Sequence, residues 1–190
     1  MLASATTDKH DFRFGLGSPV LEFLATRAGR YSEPLERLPA PEDLTRWLEL
    51  SRLADGARCD RELLARAHEL RETIYRILSV ARNGQRPVWD DLRLVNEWAR
   101  QPTPSPQLTP TMSVDLTGPD PCRAALATLA CAAIELIASP ALSQIRNCAN
   151  PACSLMFIDH SRPGRRRWCS MDRCGNRAKT ARYRERRRRS

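Results

Sequence analysis

The sequence predicts a mainly α-helical protein: a helical N-terminal domain with one or two short strands, followed by a small C-terminal module made of a hairpin and a basic helix. Two observations support this fold class. Apolar residues recur at helical spacing through most of residues 18–145, whereas residues 146–190 hold two cysteine pairs and a run of arginines. We therefore expect a flexible N-terminal arm over residues 1–17, the helical domain over 18–145 and the module over 146–190.

Charge is distributed unevenly along the chain. The net charge is +9, but residues 162–190 contain 13 Lys and Arg against Asp172 and Glu185, so the first 161 residues sum to −2. A near-neutral body with a strongly basic end is typical of proteins that bind polyanions. A hydrophobic content of 42% argues against disorder. No signal-peptide core and no membrane-length apolar run is evident, so we expect a cytoplasmic protein with no membrane partner.

The N-terminal domain begins with a predicted short helix. Ser18 is a suitable N-cap, and Pro19 suits the first helical position. The helix should end near Gly29. Because the apolar run is short, a β-strand over residues 19–25 is an alternative. Residues 30–41 contain three prolines and predict a loop.

Three longer helices are predicted from apolar periodicity. The first has one apolar side formed by Leu44, Trp47 and Leu48. The clearest runs from Asp60, a good N-cap, to Ala81, with apolar residues at intervals of three and four. His68 lies at the edge of that stripe and is expected to be a surface or core-edge residue. The third runs from Pro87 to Arg100.

A strand and two further helices are expected after the proline-rich residues 101–110. Alternation over residues 112–117 predicts a half-buried strand, whose partner the pattern does not identify. Asp120 opens a long apolar helix, and Ser139 caps a short one. The many alanines of the long helix suit either core packing or a homodimer contact. Its Cys122 and Cys131 are expected to be inert buried thiols, whereas Cys59 is more exposed.

Two cysteine pairs organise the C-terminal module. Four residues separate Cys148 from Cys153 and Cys169 from Cys174, and fifteen residues lie between the pairs. That spacer suits one hairpin, and four thiolates suit a closed, tetrahedral zinc site. Two disulfides are the alternative, but seven cysteines without an export signal favour reduced thiols. A catalytic zinc would need mixed ligands, for which His160 is the nearby candidate. The sequence therefore predicts one structural Zn²⁺ ion.

The secondary structure predicted for this module has the order found in a treble-clef or ribbon-like zinc finger: a hairpin followed by a helix. Residues 155–158 and 166–169 are the predicted strands, and residues 161–165 form the turn. Phe157 and Trp168 are expected to cover the zinc site. Alternatively, Trp168 stacks on a nucleic-acid base.

A basic helix is predicted from about Gly175 to Arg188. It has almost no apolar stripe, and its like charges repel, so we expect the last turns to fray without a polyanion. The candidate nucleic-acid-binding residues are Arg165, Arg166, Arg167, Asn176, Arg177, Lys179, Arg182, Arg184, Arg186 and Arg187. Alternatively, Asn176 only caps the helix, Arg177 pairs with a carboxylate such as Asp159, and the tail is a sequence-blind anchor.

At these residues the sequence resembles a known family. The string Cys174-Gly175-Asn176-Arg177, preceded by Arg167-Trp168-Cys169 and by the first cysteine pair, resembles the CGNR zinc finger of bacterial proteins. Such proteins usually carry a helical N-terminal region called ABATE, regarded as that of a stress-induced transcriptional regulator. The resemblance implies a DNA-binding regulator, and over residues 1–140 it rests on organisation more than on a motif.

Three functions fit these observations. The first is a cytoplasmic, nucleoid-associated DNA-binding regulator whose residues 1–140 sense an unknown ligand or partner. The second is an RNA- or ribosome-associated factor that uses the same helix on A-form structure. The third is a zinc-thiolate redox switch or protein-interaction module. We expect no enzyme activity, because the sequence has no evident nucleophile–base pair, phosphate-binding glycine loop or carboxylate pair.

Overall fold

The computed structural model describes residues 11–118 and 120–189. Its contacts divide the described chain into two units. The helical unit is Leu38–Ile145, and the finger unit combines the described residues up to Arg37 with those from Arg146 onward. Residues 1–10 of the expected flexible arm lie outside the described ranges.

Six α-helices and six short strands are assigned within the described ranges. In chain order they are α1 (Pro19–Leu24), β1 (Arg27–Ala28), β2 (Leu35–Glu36), α2 (Pro41–Leu50), α3 (Arg61–Ala81), α4 (Trp89–Ala99), β3 (Ser105–Leu108), β4 (Val114–Thr117), α5 (Pro121–Ala138), β5 (Ile145–Asn147), β6 (Met156–Ile158) and α6 (Asn176–Arg189). A 3-10 turn (Pro140–Gln144) precedes β5, and a π-helical turn (Met171–Gly175) precedes α6. The mainly α fold class is therefore confirmed.

Helix starts follow the predicted caps. The Ser18 hydroxyl accepts a hydrogen bond from the backbone N–H of Val20 at 3.2 Å. The Asp60 carboxylate accepts from Leu63 at 2.7 Å, and the carboxylate of Asp120 caps α5 in the same way. These bonds satisfy donors that have no partner inside the helix. The strand alternative for residues 19–25 is wrong, and α1 ends at Leu24, before Gly29.

The core of the helical unit is built by α2, α3, α4 and α5, which pack on one another. Trp47 of α2 and Leu126 of α5 are fully buried. The small residues of α5 are mostly buried too, namely Ala124, Ala125, Ala127, Ala130 and Ala133. They serve core packing, the first of the two alternatives, since short side chains let neighbouring helices approach closely.

Helix α5 has the length and apolar composition of a membrane span, and it is the one such helix in the described ranges. Its apolar run contains two charged residues, Arg123 and Glu135, so the sequence did not predict a membrane span. Half of the helix is buried inside the protein. Packing against α3 and α4 accounts for its apolar composition.

The strand predicted over residues 112–117 is found as β4, and its partner is β3. The two strands are antiparallel, with Ser105 opposite Thr117 and Leu108 opposite Val114. The expected half-burial is wrong, because Val114 is 68% exposed. The sequence did not identify β3 as the partner strand because β3 contains Pro106, and proline disfavours a strand. A two-stranded sheet has open edges, so a missing N–H donor is tolerated there.

Single polar residues of the helical unit lie largely as predicted. His68 is half-buried, with Nε2 3.0 Å from the carbonyl oxygen of Leu38. Burial, followed by a hydrogen bond with Cys59, raises the pKa of the Cys122 thiol, as suits an inert thiol. Cys131 is only partly buried, and its thiol donates to the carbonyl of Ala99 at 3.6 Å.

The finger unit joins two distant parts of the chain. The backbone N–H of Ile158 donates to the carbonyl of Leu16 at 2.9 Å, and that of Arg30 donates to the Ser154 hydroxyl at 3.1 Å. Phe12 and Leu16 are buried, so part of the expected arm packs in the finger unit, whereas Phe14 is exposed. The sequence boundaries did not anticipate this grouping, because the contacts that order the segment come from residues more than a hundred positions away.

The hairpin of the finger is formed by β5 and β6, which flank the first cysteine pair. The predicted returning strand over residues 166–169 is not assigned as a strand. Instead, the carboxylate of Asp159 accepts from the backbone N–H groups of Ser161 and Arg166, each at 3.0 Å. Side chains therefore satisfy backbone groups that a strand ladder would otherwise pair.

Candidate metal centre and nucleic-acid interface

Four cysteine sulfurs meet at one point of the finger unit. The sulfurs of Cys148, Cys153, Cys169 and Cys174 all lie within 4.8 Å of one another. The Sγ atoms of Cys153 and Cys169 are 3.8 Å apart, and those of Cys169 and Cys174 are 3.7 Å apart. These separations are far too long for disulfide bonds. Zn–S bonds of about 2.3 Å in a tetrahedron place sulfurs about 3.8 Å apart, so the cluster fits one zinc ion.

Local backbone structure holds each ligand in place. The Cys148 N–H donates to the carbonyl of Leu155 at 2.9 Å, across the first turn. The Cys153 N–H donates to the carbonyl of Asn150 at 2.8 Å, which closes that turn. The side-chain amide of Asn150 lies 3.5 Å from Cys174 Sγ, so it joins the two cysteine pairs. Such outer contacts orient metal ligands and stabilise their charge.

The four ligands are shielded from solvent. Three of the four cysteines are buried, and Cys153 is half-buried. Four thiolates close the coordination shell, so the bound ion is structural: it fixes a module with a small apolar core. The protein has one structural zinc site.

The two aromatic residues expected to cover the zinc site are both withdrawn from solvent, to different extents. Phe157 is fully buried, and the guanidinium carbon of Arg166 lies 4.5 Å from its ring centroid. Trp168 is half-buried and lies close to Gly175. A Cβ atom added to that glycine would be 3.4 Å from Cδ1 of the indole ring. This position agrees with packing, the first alternative for Trp168, whereas stacking on a nucleic-acid base stays a prediction. His160 is exposed and is not among the clustered ligands.

The π-helical turn connects the metal ligands to the basic helix. Met171–Gly175 contains the last ligand, Cys174, whose N–H donates to the carbonyl of Ser170 at 3.2 Å. Helix α6 begins at the next residue. Its side chains from Lys179 to Arg188 are all exposed. The start of α6 is therefore set by the metal site, whereas its remaining length presents charge to solvent.

Most of the predicted nucleic-acid-binding residues are exposed. Arg166 is the exception: it is half-buried, and its guanidinium donates to the carbonyls of Trp168 and Cys169, so it supports the second cysteine pair. The exposed candidates are Arg165, Arg167, Asn176, Arg177, Lys179, Arg182, Arg184, Arg186 and Arg187. Their role in binding stays a prediction.

The first two turns of α6 line an open groove of about 520 Å³. Asn176, Arg177 and Arg184 contribute side chains to it, and Asp172 supplies a carboxylate. Asn176 Nδ2 lies 3.5 Å from the carbonyl oxygen of Asp172. The carboxylate of Asp159, proposed as a partner for Arg177, is occupied by Ser161 and the Arg166 backbone, which hold its pKa below the usual value.

Two arginines of this unit were missed by sequence reasoning. Arg13 and Arg37 are buried and line a second cavity beside the cysteines. Burial, followed by repulsion from Arg13, lowers the pKa of Arg37 to about 10. They lie in the expected arm and loop, where no periodicity or spacing indicated a site.

Two family models match this chain. The ABATE family model, described as a putative stress-induced transcription regulator, matches residues 17–140. The CGNR zinc finger model matches residues 144–187, which include all four clustered cysteines. Comparison with curated proteins finds no match. Since the first model spans more than half of the chain, this protein belongs to the ABATE family and carries a CGNR zinc finger.

Proposed function

We propose that this protein is a zinc-dependent DNA-binding transcription regulator that acts in the cytoplasm. The observation that carries the proposal is α6: a helix that starts at the last zinc ligand and leaves its basic side chains exposed. It contains eight Lys or Arg residues and one acid, Glu185. A rigidly started helix with this charge is suited to a phosphate backbone.

The dimensions of α6 support a groove-binding role. Its 14 residues span about 21 Å at 1.5 Å per residue. The major groove of B-DNA admits an α-helix, and arginine can donate two hydrogen bonds to a guanine edge. Asn176 and Arg177 lie closest to the zinc ligands, so they are the best placed for defined contacts. The arginines beyond them are suited to sequence-independent phosphate contacts.

The helical unit would then sense the signal that regulates DNA binding. It has its own apolar core and a cavity of about 710 Å³ lined by residues of α2, β4 and α5. The family description as a stress-induced transcription regulator supports a regulatory role for this part of the chain. Ligands of transcription regulators commonly act by shifting a conformational equilibrium that DNA also biases.

Fluorescence anisotropy with labelled duplex DNA tests the proposal. With five to eight phosphate contacts, raising salt from 50 to 200 mM should weaken binding by about three to four orders of magnitude. The double variant Arg182→Gln, Arg186→Gln should lower both the affinity and the salt slope. The matched control is Arg86→Gln, Arg100→Gln, which removes two exposed arginines from the helical unit. Equal losses in the two double variants would contradict a role for α6.

Two further measurements test the alternative functions: binding of structured RNA, and zinc release by peroxide. If RNA binds as tightly as DNA and no genomic fragment is enriched by the protein, a sequence-specific regulator is excluded and an RNA-associated factor is favoured. If modest peroxide releases zinc, the redox switch is favoured. We expect zinc to be retained, because Cys148, Cys169 and Cys174 are buried.

A further inference from the structure

Two free cysteines lie side by side in the helical unit, which contains none of the four zinc ligands. Cys59 immediately precedes Asp60, the N-cap of α3, and Cys122 is the second residue of α5. Helices α3 and α5 pack on each other. The thiols of Cys59 and Cys122 are close enough to share a hydrogen bond, and the carboxylates of Asp60 and Asp120 also lie near Cys122. The fold therefore brings together two thiols from distant parts of the chain.

The backbones of the two cysteines are held differently. Cys122 lies in the first turn of α5, which the carboxylate of Asp120 caps. Cys59 lies in coil before α3, and its N–H donates to the hydroxyl of Thr45 at 3.1 Å. A disulfide requires a sulfur–sulfur bond of about 2.05 Å. Because the two thiols are already in hydrogen-bond contact, that bond needs only a small approach of Cys59, whose coil backbone can adjust.

The two thiols also differ in their access to solvent. Cys59 is half-buried, whereas Cys122 is 2% exposed. Burial raises the pKa of Cys122, so this thiol stays protonated and is inert toward dissolved oxidants. An oxidant in solution therefore meets Cys59 first. A reachable thiol beside a shielded one is the arrangement in which the second sulfur reacts with the oxidised form of the first.

We infer that Cys59 and Cys122 form a peroxide-sensitive pair that closes reversibly into a disulfide between the starts of α3 and α5. In the first step the Cys59 sulfur attacks an oxygen of hydrogen peroxide, the O–O bond breaks, and a sulfenic acid and one water form. In the second step the Cys122 sulfur bonds to the Cys59 sulfur and the S–O bond breaks. The hydroxyl group leaves with the thiol proton of Cys122 as a second water. The two thiols lose two electrons, and peroxide is reduced to water.

Reduction of the disulfide would begin at the more accessible sulfur. A thiolate of a low-molecular-weight thiol attacks Cys59, and Cys122 leaves and takes up a proton. A second thiol then displaces the first from Cys59, so both cysteines return to the thiol form and the two small thiols are joined as a disulfide. Disulfides in reducing compartments are commonly transient and redox-sensing.

The disulfide would close a long loop that contains α3, α4 and the hairpin of β3 and β4. A cross-link across a long loop removes conformational freedom from the unfolded chain, so oxidation should stabilise the helical unit. The link would also lie next to the wall of the 710 Å³ cavity, because Pro121, the neighbour of Cys122, lines that cavity. The inference requires neither DNA binding nor a ligand in the cavity.

Peptide mass mapping of the zinc-loaded, full-length protein tests the pair. The protein is treated with a small excess of hydrogen peroxide, its free thiols are alkylated, and it is digested without reduction. We expect peptides linked through Cys59 and Cys122, together two hydrogens lighter than the reduced peptides, with zinc content unchanged. Dithiothreitol should separate them. Oxidation should also raise the midpoint of the thermal transition of the helical unit by about 5 °C or more.

Three variants identify the sulfurs involved. Cys59→Ser should abolish both the linkage and the rise in the thermal midpoint. In Cys122→Ala the sulfenic acid on Cys59 has no partner, so dimedone, which labels sulfenic acids, should mark Cys59 severalfold more than in the unaltered protein. Cys131→Ser is the matched control: it removes another partly buried thiol of α5 and should leave the linkage unchanged. If Cys122→Ala does not fold, Cys59→Ser still decides, because it changes one atom at a half-buried position.

Several results would overturn the inference. They are the absence of the linked peptides at peroxide concentrations that leave zinc bound, loss of zinc before any linkage forms, and a thermal midpoint that rises equally in Cys59→Ser. DNA binding is measured independently by anisotropy on the reduced protein. Failure of the disulfide would therefore leave the proposed DNA binding intact, and failure of DNA binding would leave the disulfide intact.

Discussion

Helices α5 and α6 show two different ways of ordering a helix. Of the 18 residues of α5, nine are buried, and the helix packs on α3 and α4. In α6, every side chain from Lys179 to Arg188 is exposed. Burial of apolar surface orders α5 along its whole length. For α6, the order comes from one end, where the metal ligand Cys174 fixes the preceding turn.

The same contrast separates the two units. The helical unit has a continuous apolar core that includes Trp47, Leu70, Ile74 and Leu126. The finger unit buries fewer apolar residues and holds four metal ligands and two buried arginines. The helical unit should therefore fold without metal, whereas the finger unit should depend on it. Four measurements test this difference between the two units.

Zinc removal should have the largest effect. Chelation should unfold the finger unit, since a structural zinc site contributes on the order of 10 kcal/mol of folding free energy. The helices of Leu38–Ile145 should keep most of their circular dichroism signal and their cooperative thermal transition. Because thiolates must be deprotonated to bind zinc, the metal should be released as the pH falls. A single transition that loses both units together would contradict the distinction.

Truncation of a core tryptophan should have the next largest effect, and it should act on the helical unit. Trp47 is fully buried, so Trp47→Ala should lower the free energy of unfolding by about 3–5 kcal/mol through lost burial and a cavity. Zinc content should not change. The control is Trp89→Ala, because Trp89 is 74% exposed and its loss should cost less than about 0.5 kcal/mol. Chemical denaturation measures both variants.

Loss of an outer contact to a ligand should have a moderate effect on the finger unit. Asn150→Ala removes the amide that lies 3.5 Å from Cys174 Sγ, so zinc affinity should fall roughly tenfold. Competition with a chromogenic chelator measures this change. Asn96→Ala removes an exposed amide from α4 and should leave zinc affinity unchanged. A similar loss in both variants would show that the Asn150 contact is unimportant.

The smallest effect should appear in α6 itself. Repulsion between its like charges costs a few tenths of a kcal/mol per pair, and a bound polyanion would relieve it. Amide hydrogen exchange over residues 180–188 should therefore slow when duplex DNA is added or when the salt concentration is raised. Exchange in α5 should stay constant. Strong protection of α6 in the absence of any polyanion would mean that something other than its starting turn orders the helix.

Local features were predictable from sequence because their causes are local. Helix α3 follows from apolar residues three and four positions apart and from the Asp60 cap, all within a few residues of each other. The zinc ligands follow from two short cysteine spacings. The absence of an apolar stripe in residues 175–188 predicted an exposed basic helix, and α6 is exposed as expected.

Pairing and burial between distant segments depend on contacts that no local sequence pattern predicts. The pairing of β3 with β4 and of β5 with β6 could not be read from alternation, because proline and short strands hide the partner. The packing of residues 11–37 into the finger unit rests on bonds such as that between Arg30 and Ser154, 124 positions apart. The helices, three of their side-chain caps and the metal ligands therefore follow from residues close together in the chain. The tertiary structure alone placed Arg13 and Arg37 beside those ligands, because burial of a single charge depends on which distant residues surround it.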